Sequence, residues 1–389
     1  MRIAVNGCGI AGPALAWWLR RHGMTPVIFE QAPALRRGGY VIDFWGSGYA
    51  VAERMGLIPD LLAEGYVMQR LRSVTRTGRT SSSVDASLFG KITGGRYMSL
   101  ERSALSARLV SACDGIEIRY GQPITGIAQD VEGVTVRSAA GEERFDLAIG
   151  ADGLHSALRG MVFGPQETFE KRLGYGVAAF TLPGYRPRED LAYVQHTQPG
   201  RQVSRVALRG DLTLILVIFA AHFLESWPKG LAEEKAALAR VCDGMGWEVP
   251  AILKALDKVD EVYFDRVSQI RMDHWAEGRV ALLGDAAACP SLLAGEGSGL
   301  AMTSAYVLAG ELKRAGGDHG AAFAAWQARM ADYTRGKQDM ALRFAGFFAP
   351  KNRLTLILRD AMLLLTRVPG LARPLLGSGL TRSMELPDY

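Results

Sequence analysis

The chain opens on a short apolar run, residues 2–6, that passes directly into Gly7-Cys8-Gly9-Ile10-Ala11-Gly12. Apolar residues then recur at helical spacing over residues 11–22, Gly23 stops the helix, and residues 25–30 form a second strand. Two strands joined through a helix must run parallel, with a right-handed crossover. This opening excludes an all-β or all-helical chain and predicts an α/β sheet. Each glycine has its own reason. Gly7 permits a tight turn, Gly9 lets the backbone approach a pyrophosphate, and Gly12 lets helix and strand pack closely. The helix N-terminus offers unpaired N–H groups and a partial positive charge to phosphates. Glu30, 18 residues beyond Gly12, ends the second strand. A carboxylate there can accept both hydroxyls of an adenosine ribose. This motif alone does not separate FAD from NAD.

Two later segments narrow the choice. Gly150-Ala151-Asp152-Gly153-Leu154-His155-Ser156-Ala157-Leu158-Arg159 follows a second apolar run, and Gly284-Asp285-Ala286-Ala287 follows a third. A strand at residues 279–283 presents Asp285 at its C-terminal edge, where a carboxylate can bind the ribityl linker that FAD has and NAD lacks. Gly295-Glu296-Gly297-Ser298-Gly299 then opens a helix. Its N-terminus, with Gly295 and Gly297, can face the pyrimidine edge of a flavin, where negative charge accumulates on reduction. The three segments in this order describe a pocket for one flavin.

Helical pattern is expected at 50–64, 103–112, 233–243 and 298–314, and strands at 116–120, 133–138 and 147–150. Residues 178–182, 191–196, 202–208 and 212–220 are β-rich and separated by Gly, Pro and charged turns. That pattern predicts an antiparallel sheet inserted into the cofactor domain. The expected fold is α/β: a discontinuous Rossmann-like FAD-binding domain (1–70, 101–165 and 271–335), an inserted, mostly antiparallel β-sheet substrate domain (71–100 and 166–270), and a C-terminal helical region (336–389). In residues 351–382, Arg353, Arg359, Arg367, Arg373 and Arg382 lie among leucines, with Pro369 and Pro374 as breaks. The favoured reading is helices packed over the body; the other is an interfacial membrane contact.

With 389 residues and 48% hydrophobic content the chain can bury a large core. A net charge of +5 suits an anionic partner such as NADPH, and equally an ordinary surface. No basic run interleaved with aromatics points to nucleic acid. Cys8, Cys113, Cys242 and Cys289 form no CxxC, so neither a redox dithiol nor a zinc site is expected; reduced thiols fit a cytoplasmic location. The six histidines form no metal or triad pattern, and His196 reads first as an ordinary polar residue of a strand or turn, with substrate contact as its other reading. No uncharged stretch is long enough to span a bilayer, and the first strand begins too early for a cleavable signal.

Other segments carry a family resemblance: Gly38-Gly39 with Gly46-Ser47-Gly48 and Met55-Gly56-Leu57, Leu100-Glu101-Arg102-Ser103-Ala104-Leu105, and residues 150–159. Across most of residues 1–340 the chain resembles the class A flavoprotein monooxygenases of the para-hydroxybenzoate hydroxylase type, most of all the tetracycline-inactivating and aromatic-polyketide monooxygenases. The resemblance implies FAD contacts at Glu30, Arg102 and Asp285. It implies shared FAD and NADPH duty for residues 150–159, Asp152 and Arg159 included, and a nicotinamide-cofactor role for Arg36 or Arg37. Asp43 belongs with these, one residue out of register.

The implied enzyme consumes NADPH or NADH and O2. It forms a flavin C4a-hydroperoxide and hydroxylates an aromatic or polyketide-like small molecule. Such chemistry needs no protein nucleophile, so no catalytic residue is assigned, but it needs a dry cavity. Strand parity and likeness place Tyr175, Arg205 and Phe219 in that cavity, with Leu292 and Leu293 over the flavin. The chain departs from the family at Ala288 (commonly His or Tyr), Glu296 (commonly Gln or Lys) and Leu292 (commonly Pro). Glu296 opposes flavin reduction unless it is protonated or turned away. The Leu292 departure keeps a flavin dehydrogenase or reductase open as an alternative. A flavoprotein that only sequesters a hydrophobic ligand is the third reading.

Overall fold

The computed structural model describes residues 1–35, 40–365 and 383–389, the side chains of 343–345 excepted. Arg2–Asn6, helix Ala11–Arg21 and Thr25–Glu30 form the expected parallel unit. They sit inside a six-stranded sheet with spatial order Ala276–Glu277, Val280–Leu282, Leu147–Gly150, Arg2–Asn6, Thr25–Glu30 and Glu117–Tyr120. All its pairings are parallel except the short outer one. The central strands are buried on both faces, as parallel strands covered by helices must be. A three-stranded meander, Gly126–Gln129, Val134–Ser138 and Gly141–Phe145, lies alongside.

The second sheet has seven strands, in the order Tyr263–Ile270, Glu170–Pro183, Leu212–Ala220, Arg201–Ala207, Ala192–Gln198, Arg70–Val74 and Thr80–Asp85. Its pairs are antiparallel except that Arg70–Val74 runs parallel to Ala192–Gln198. One face is covered by helices Leu231–Val241 and Val249–Leu256, which bury Val203, Ile215, Val217 and Phe219. The other face turns toward the cofactor-type sheet.

Two departures from the sequence reading have plain causes. The single helix expected over 50–64 is two, Gly46–Arg54 and Ile58–Glu64, because Gly56 adopts φ +75° between them. Gly46–Arg54 also begins earlier than expected, because it crosses helix Gly297–Arg314 at glycine. A Cβ on Gly48 would lie 2.2 Å from the Cα of Gly299. Helix His319–Phe348 packs on Gly297–Arg314, and Arg353–Leu365 follows it.

Candidate active site

Between the two sheets lies one cavity of about 630 Å³, lined from Asn6 to Leu363. At its glycine end, packing is backbone on backbone. A Cβ on Gly12 would sit 1.9 Å from the Gly7 carbonyl oxygen, and one on Gly7, at φ +110°, would sit 2.5 Å from that of Ala151. Gly9 is different: only the Arg102 guanidinium, at 3.6 Å, comes near its missing Cβ, so its backbone faces open space. Glu30 stands at the strand end, with Oε2 accepting from the Cys8 N–H (2.7 Å) and Oε1 from the Ala32 N–H (2.8 Å). Asp152 ties the second motif to the first strand. It accepts from Asn6 Nδ2 (2.9 Å), Ser156 Oγ (2.6 Å) and the Leu158 N–H (3.1 Å) while lining the cavity.

Asp285 starts a short helix behind Gly284, whose φ of +63° allows the sharp exit from strand Val280–Leu282. Its carboxyl lies deep inside the protein and opens to the cavity. Burial pushes it above the usual carboxylate range, opposed by the charge of Arg102. No described residue hydrogen-bonds or ion-pairs with the Arg102 guanidinium, which also lines the cavity. A cation with no hydrogen-bonding or ion-pair partner among the described residues, an exposed glycine backbone, a strand-end carboxylate and a second carboxylate lining the cavity suit a molecule with phosphates in the middle and hydroxyls on either side. These residues fit FAD.

The remaining predicted residues divide sharply. Gly295 and Gly297, Leu292, Leu293 and Asp43 line the cavity. Arg159 does not. It is fully buried behind the loop, donating to the Ala286 and Leu154 carbonyls (2.9 and 2.8 Å) and to Gln166 Oε1 (3.0 Å), so its visible role is to brace two motifs. Arg36 and Arg37 lie outside the described residues. Arg205 and Phe219 are corrections. Both point to the helix-covered face, where Arg205 pairs with Glu248 (2.9 Å) and Phe219 packs on Trp227 and Phe264. Tyr175 packs with Val177, Ile218 and Leu293 beside the cavity without lining it.

The residues that do line it are their neighbours in the strands: Tyr193, Gln195, Gln202, Ser204, Val206, Leu214, Leu216 and Ile218. The pairings Gln195↔Ser204, Ser204↔Leu216 and Gln202↔Ile218 put them on one face. The expected parity was off by one, which exchanges faces. The available signal was Gln202 and Ser204, polar residues recurring at a spacing of two in a buried strand.

Glu296 is turned away. Its carboxylate is not among the lining groups and pairs with Lys337 of helix His319–Phe348, both side chains being buried. The acidic residue therefore places no bare charge against the loop. His196 is buried, with Nδ1 at 2.9 Å from the Val74 carbonyl, away from the cavity. In the tail, Arg359 is buried against Asp360 and the Phe347 carbonyl, while Leu354, Ile357 and Leu358 of the same helix are exposed. Met362 and Leu363 close the cavity on that side. No helix among the described residues is long and apolar enough to cross a membrane.

Comparison with known proteins agrees with this geometry. Residues 1–322 match the FAD binding domain family. A flavin-dependent monooxygenase from an unidentified prokaryote is 34% identical over 354 residues, covering 90% of this chain and 91% of that protein. One from Legionella longbeachae is 31% identical, covering 91% of each chain. The crystal structure of tetracycline destructase Tet(55) superposes with a TM-score of 0.85 at 30% identity, covering 100% of this chain and 98% of the other. The chain belongs to the FAD binding domain family and, within it, to the class A flavoprotein monooxygenases: it is an FAD-dependent oxidoreductase.

Proposed function

We propose that this monooxygenase uses NADPH or NADH and O2 to hydroxylate a flat, hydroxyl-bearing aromatic or polyketide-like molecule held against the seven-stranded sheet. The observation that carries the substrate class is the cavity wall. Val206, Leu214, Leu216 and Ile218 make an aliphatic floor, and Tyr193, Gln195, Gln202 and Ser204 make a polar row beside it. Such a surface accepts an apolar ring system and orients its oxygen substituents. Tetracycline destructases share the fold along the whole chain, which supports a polycyclic substrate.

Bound FAD would supply hydride acceptance from the nicotinamide and activation of O2. The chain's own residues do the rest. Arg102 and the Gly9 backbone would hold the pyrophosphate, Glu30 the adenosine ribose, and Asp285 the ribityl hydroxyls. Asp152 fixes the second motif where it meets them. The N-terminus of helix Gly297–Arg314 directs its partial positive charge at the place where the flavin ring would end. Leu292, Leu293, Phe348 and Leu363 keep water from the reacting centre. Ser291, at φ +86°, and Gly295, at φ +69°, shape the turn that carries the two leucines. Leu292 provides apolar cover at this place, and the flavin-dependent monooxygenase relatives support oxygen insertion over simple dehydrogenation.

The test is a screen of polycyclic phenols with the FAD-loaded protein, following NADPH oxidation and oxygen uptake, with mass analysis under isotopically labelled dioxygen. One labelled oxygen in the product is expected. Loss or gain of two hydrogens would instead establish a dehydrogenase or reductase. NADPH oxidation that no phenol or enol accelerates would overturn the proposal.

A further inference from the structure

Asp43 belongs to the short sheet formed by Val41–Trp45 and Tyr97–Glu101. Alternation gives this sheet two characters. Phe44, Met98 and Leu100 enter the core of the cofactor-type domain, whereas Val41, like Tyr193, packs against the cluster of Met68 and Leu214 on the side of the seven-stranded sheet. Asp43 shares that second face with Val41, two residues away. It meets Tyr97 and Ser99 from its partner strand and Tyr193 from the large sheet.

The hydrogen bonding of its carboxylate is lopsided. Ser99 Oγ (2.5 Å), Tyr97 OH (2.7 Å) and Tyr193 OH (3.3 Å) all donate to Oδ1. No described residue donates to Oδ2, and no described cation pairs with the side chain, although Asp43 lines the cavity. With no protein donor and an opening to the cavity, Oδ2 is left for a ligand or water to supply its hydrogen bond. Burial raises the affinity of Asp43 for a proton, and the three hydroxyls oppose that. Tyr97 and Tyr193 face it as the titratable neighbours. Burial and the charge of Asp43 push both phenols above their ordinary range, so they stay protonated and serve as donors.

We propose that Oδ2 of Asp43 accepts a hydrogen bond from a phenolic or enolic hydroxyl of the substrate, which makes Asp43 the residue that selects free hydroxyls over their ethers. This rests on the hydroxylase reading above and moves Asp43 from the nicotinamide cofactor, where the sequence placed it, to the substrate. The chemistry is specific. The aliphatic floor cannot tell a phenol from its methyl ether, and the hydroxyls and amides of the polar row can donate to either oxygen, whereas an acceptor-only carboxylate does discriminate, because the ether has no proton to give.

The test uses FAD-loaded wild type, Asp43→Asn and Asp43→Ala, titrated with naphthol, anthrol and hydroxyanthraquinone and with the methyl ether of each. Binding is read from the visible flavin spectrum and by equilibrium dialysis. Wild type should prefer at least one phenol over its ether by about 10- to 100-fold, the usual effect of one hydrogen bond to a charged group. Asp43→Asn should lose that preference, since its amide keeps Oδ1 for the three hydroxyls and turns a donor to the ligand. FAD content should be the same in all three proteins. The inference is overturned if no phenol binds wild type, if wild type binds phenols and ethers equally, or if Asp43→Asn keeps the preference. Loss of FAD from both variants would return Asp43 to the cofactor. Wild type that takes up no FAD would overturn the functional reading itself.

Discussion

The two ends of the cavity are built on different principles. At the glycine end the protein fits itself through main-chain atoms. Gly7, Gly12 and Ala151 touch backbone to backbone, and a side chain on either glycine would collide. At the sheet end the main chain is ordinary and everything depends on which side chains alternate inward. The first kind of surface tolerates almost no substitution, but its requirement is tied to fixed positions. The second tolerates much, but its meaning changes with a shift of a single residue.

Substitutions can break or sharpen this contrast. The largest effect is expected from Gly12→Val. Its branched side chain has to enter space already filled by the Gly7 carbonyl, at a cost of about 4 kcal/mol or more, and FAD-loaded soluble protein should be lost. Gly9→Val, with no backbone in its way, should change the melting temperature little while weakening FAD uptake; equal damage from both would erase the distinction. Next comes Phe219→Ala on the helix-covered face. It should lower unfolding free energy by about 3 to 4 kcal/mol yet leave the preference among phenols intact, as read by denaturant titration and ligand binding.

Lys337→Met comes third. It leaves Glu296 buried without its cation and should cost about 3 kcal/mol near neutral pH. Burial already holds the Glu296 carboxyl above its ordinary range, and removing Lys337 raises it further. The folded state of the variant then binds the proton more tightly than the unfolded chain. Its stability should therefore be best in acid and fall as pH rises from the carboxylate range toward neutrality. Adding Glu296→Gln should abolish that slope, and a variant without the slope would show that the pair is not buried as described.

Fourth is Ser204→Phe, which fills the inward face of the sheet. It should raise substrate KM about tenfold, equivalent to about 1.4 kcal/mol, with little change in melting temperature. The smallest effect is at the cavity mouth. Asp265, hydrogen-bonded to the half-exposed His155, raises the affinity of that imidazole for a proton. A raised imidazole value stabilises the fold below the unfolded value and is lost as pH rises through the folded one. Asp265→Asn should lower the His155 midpoint in an NMR titration. Solvent screening should keep the stability change below about 1 kcal/mol.

The same contrast explains what could be read in advance. Residues 25–30, 147–150 and 212–220 were legible as strands to the residue, because each is built around a short apolar stretch (27–29, 147–149 and 214–220). The glycine loop and Asp285 were legible because the chemistry there requires a residue type at a place. Arg205 and Phe219 were misread because both faces of their strands are buried, so hydrophobicity carries no parity. Only the polar pair Gln202 and Ser204 betrayed the inward side. The Lys337 partner of Glu296 was out of reach, since 41 residues and a helix packing angle separate them. The break at Gly56 does have a signal: Pro59 stands in the first turn of Ile58–Glu64, the one part of a helix that tolerates proline, so a new helix must start there.

The cavity also sets an order of events. Its walls draw on residues from Asn6 to Leu363, so no contiguous half of the chain encloses it. During synthesis the glycine turn emerges first, before any residue of the cavity floor. Asp285 and the loop after it arrive late, and the closing helix later still. Cofactor loading is therefore expected late in folding, and truncated nascent chains ending before residue 285 should emerge from the ribosome without flavin.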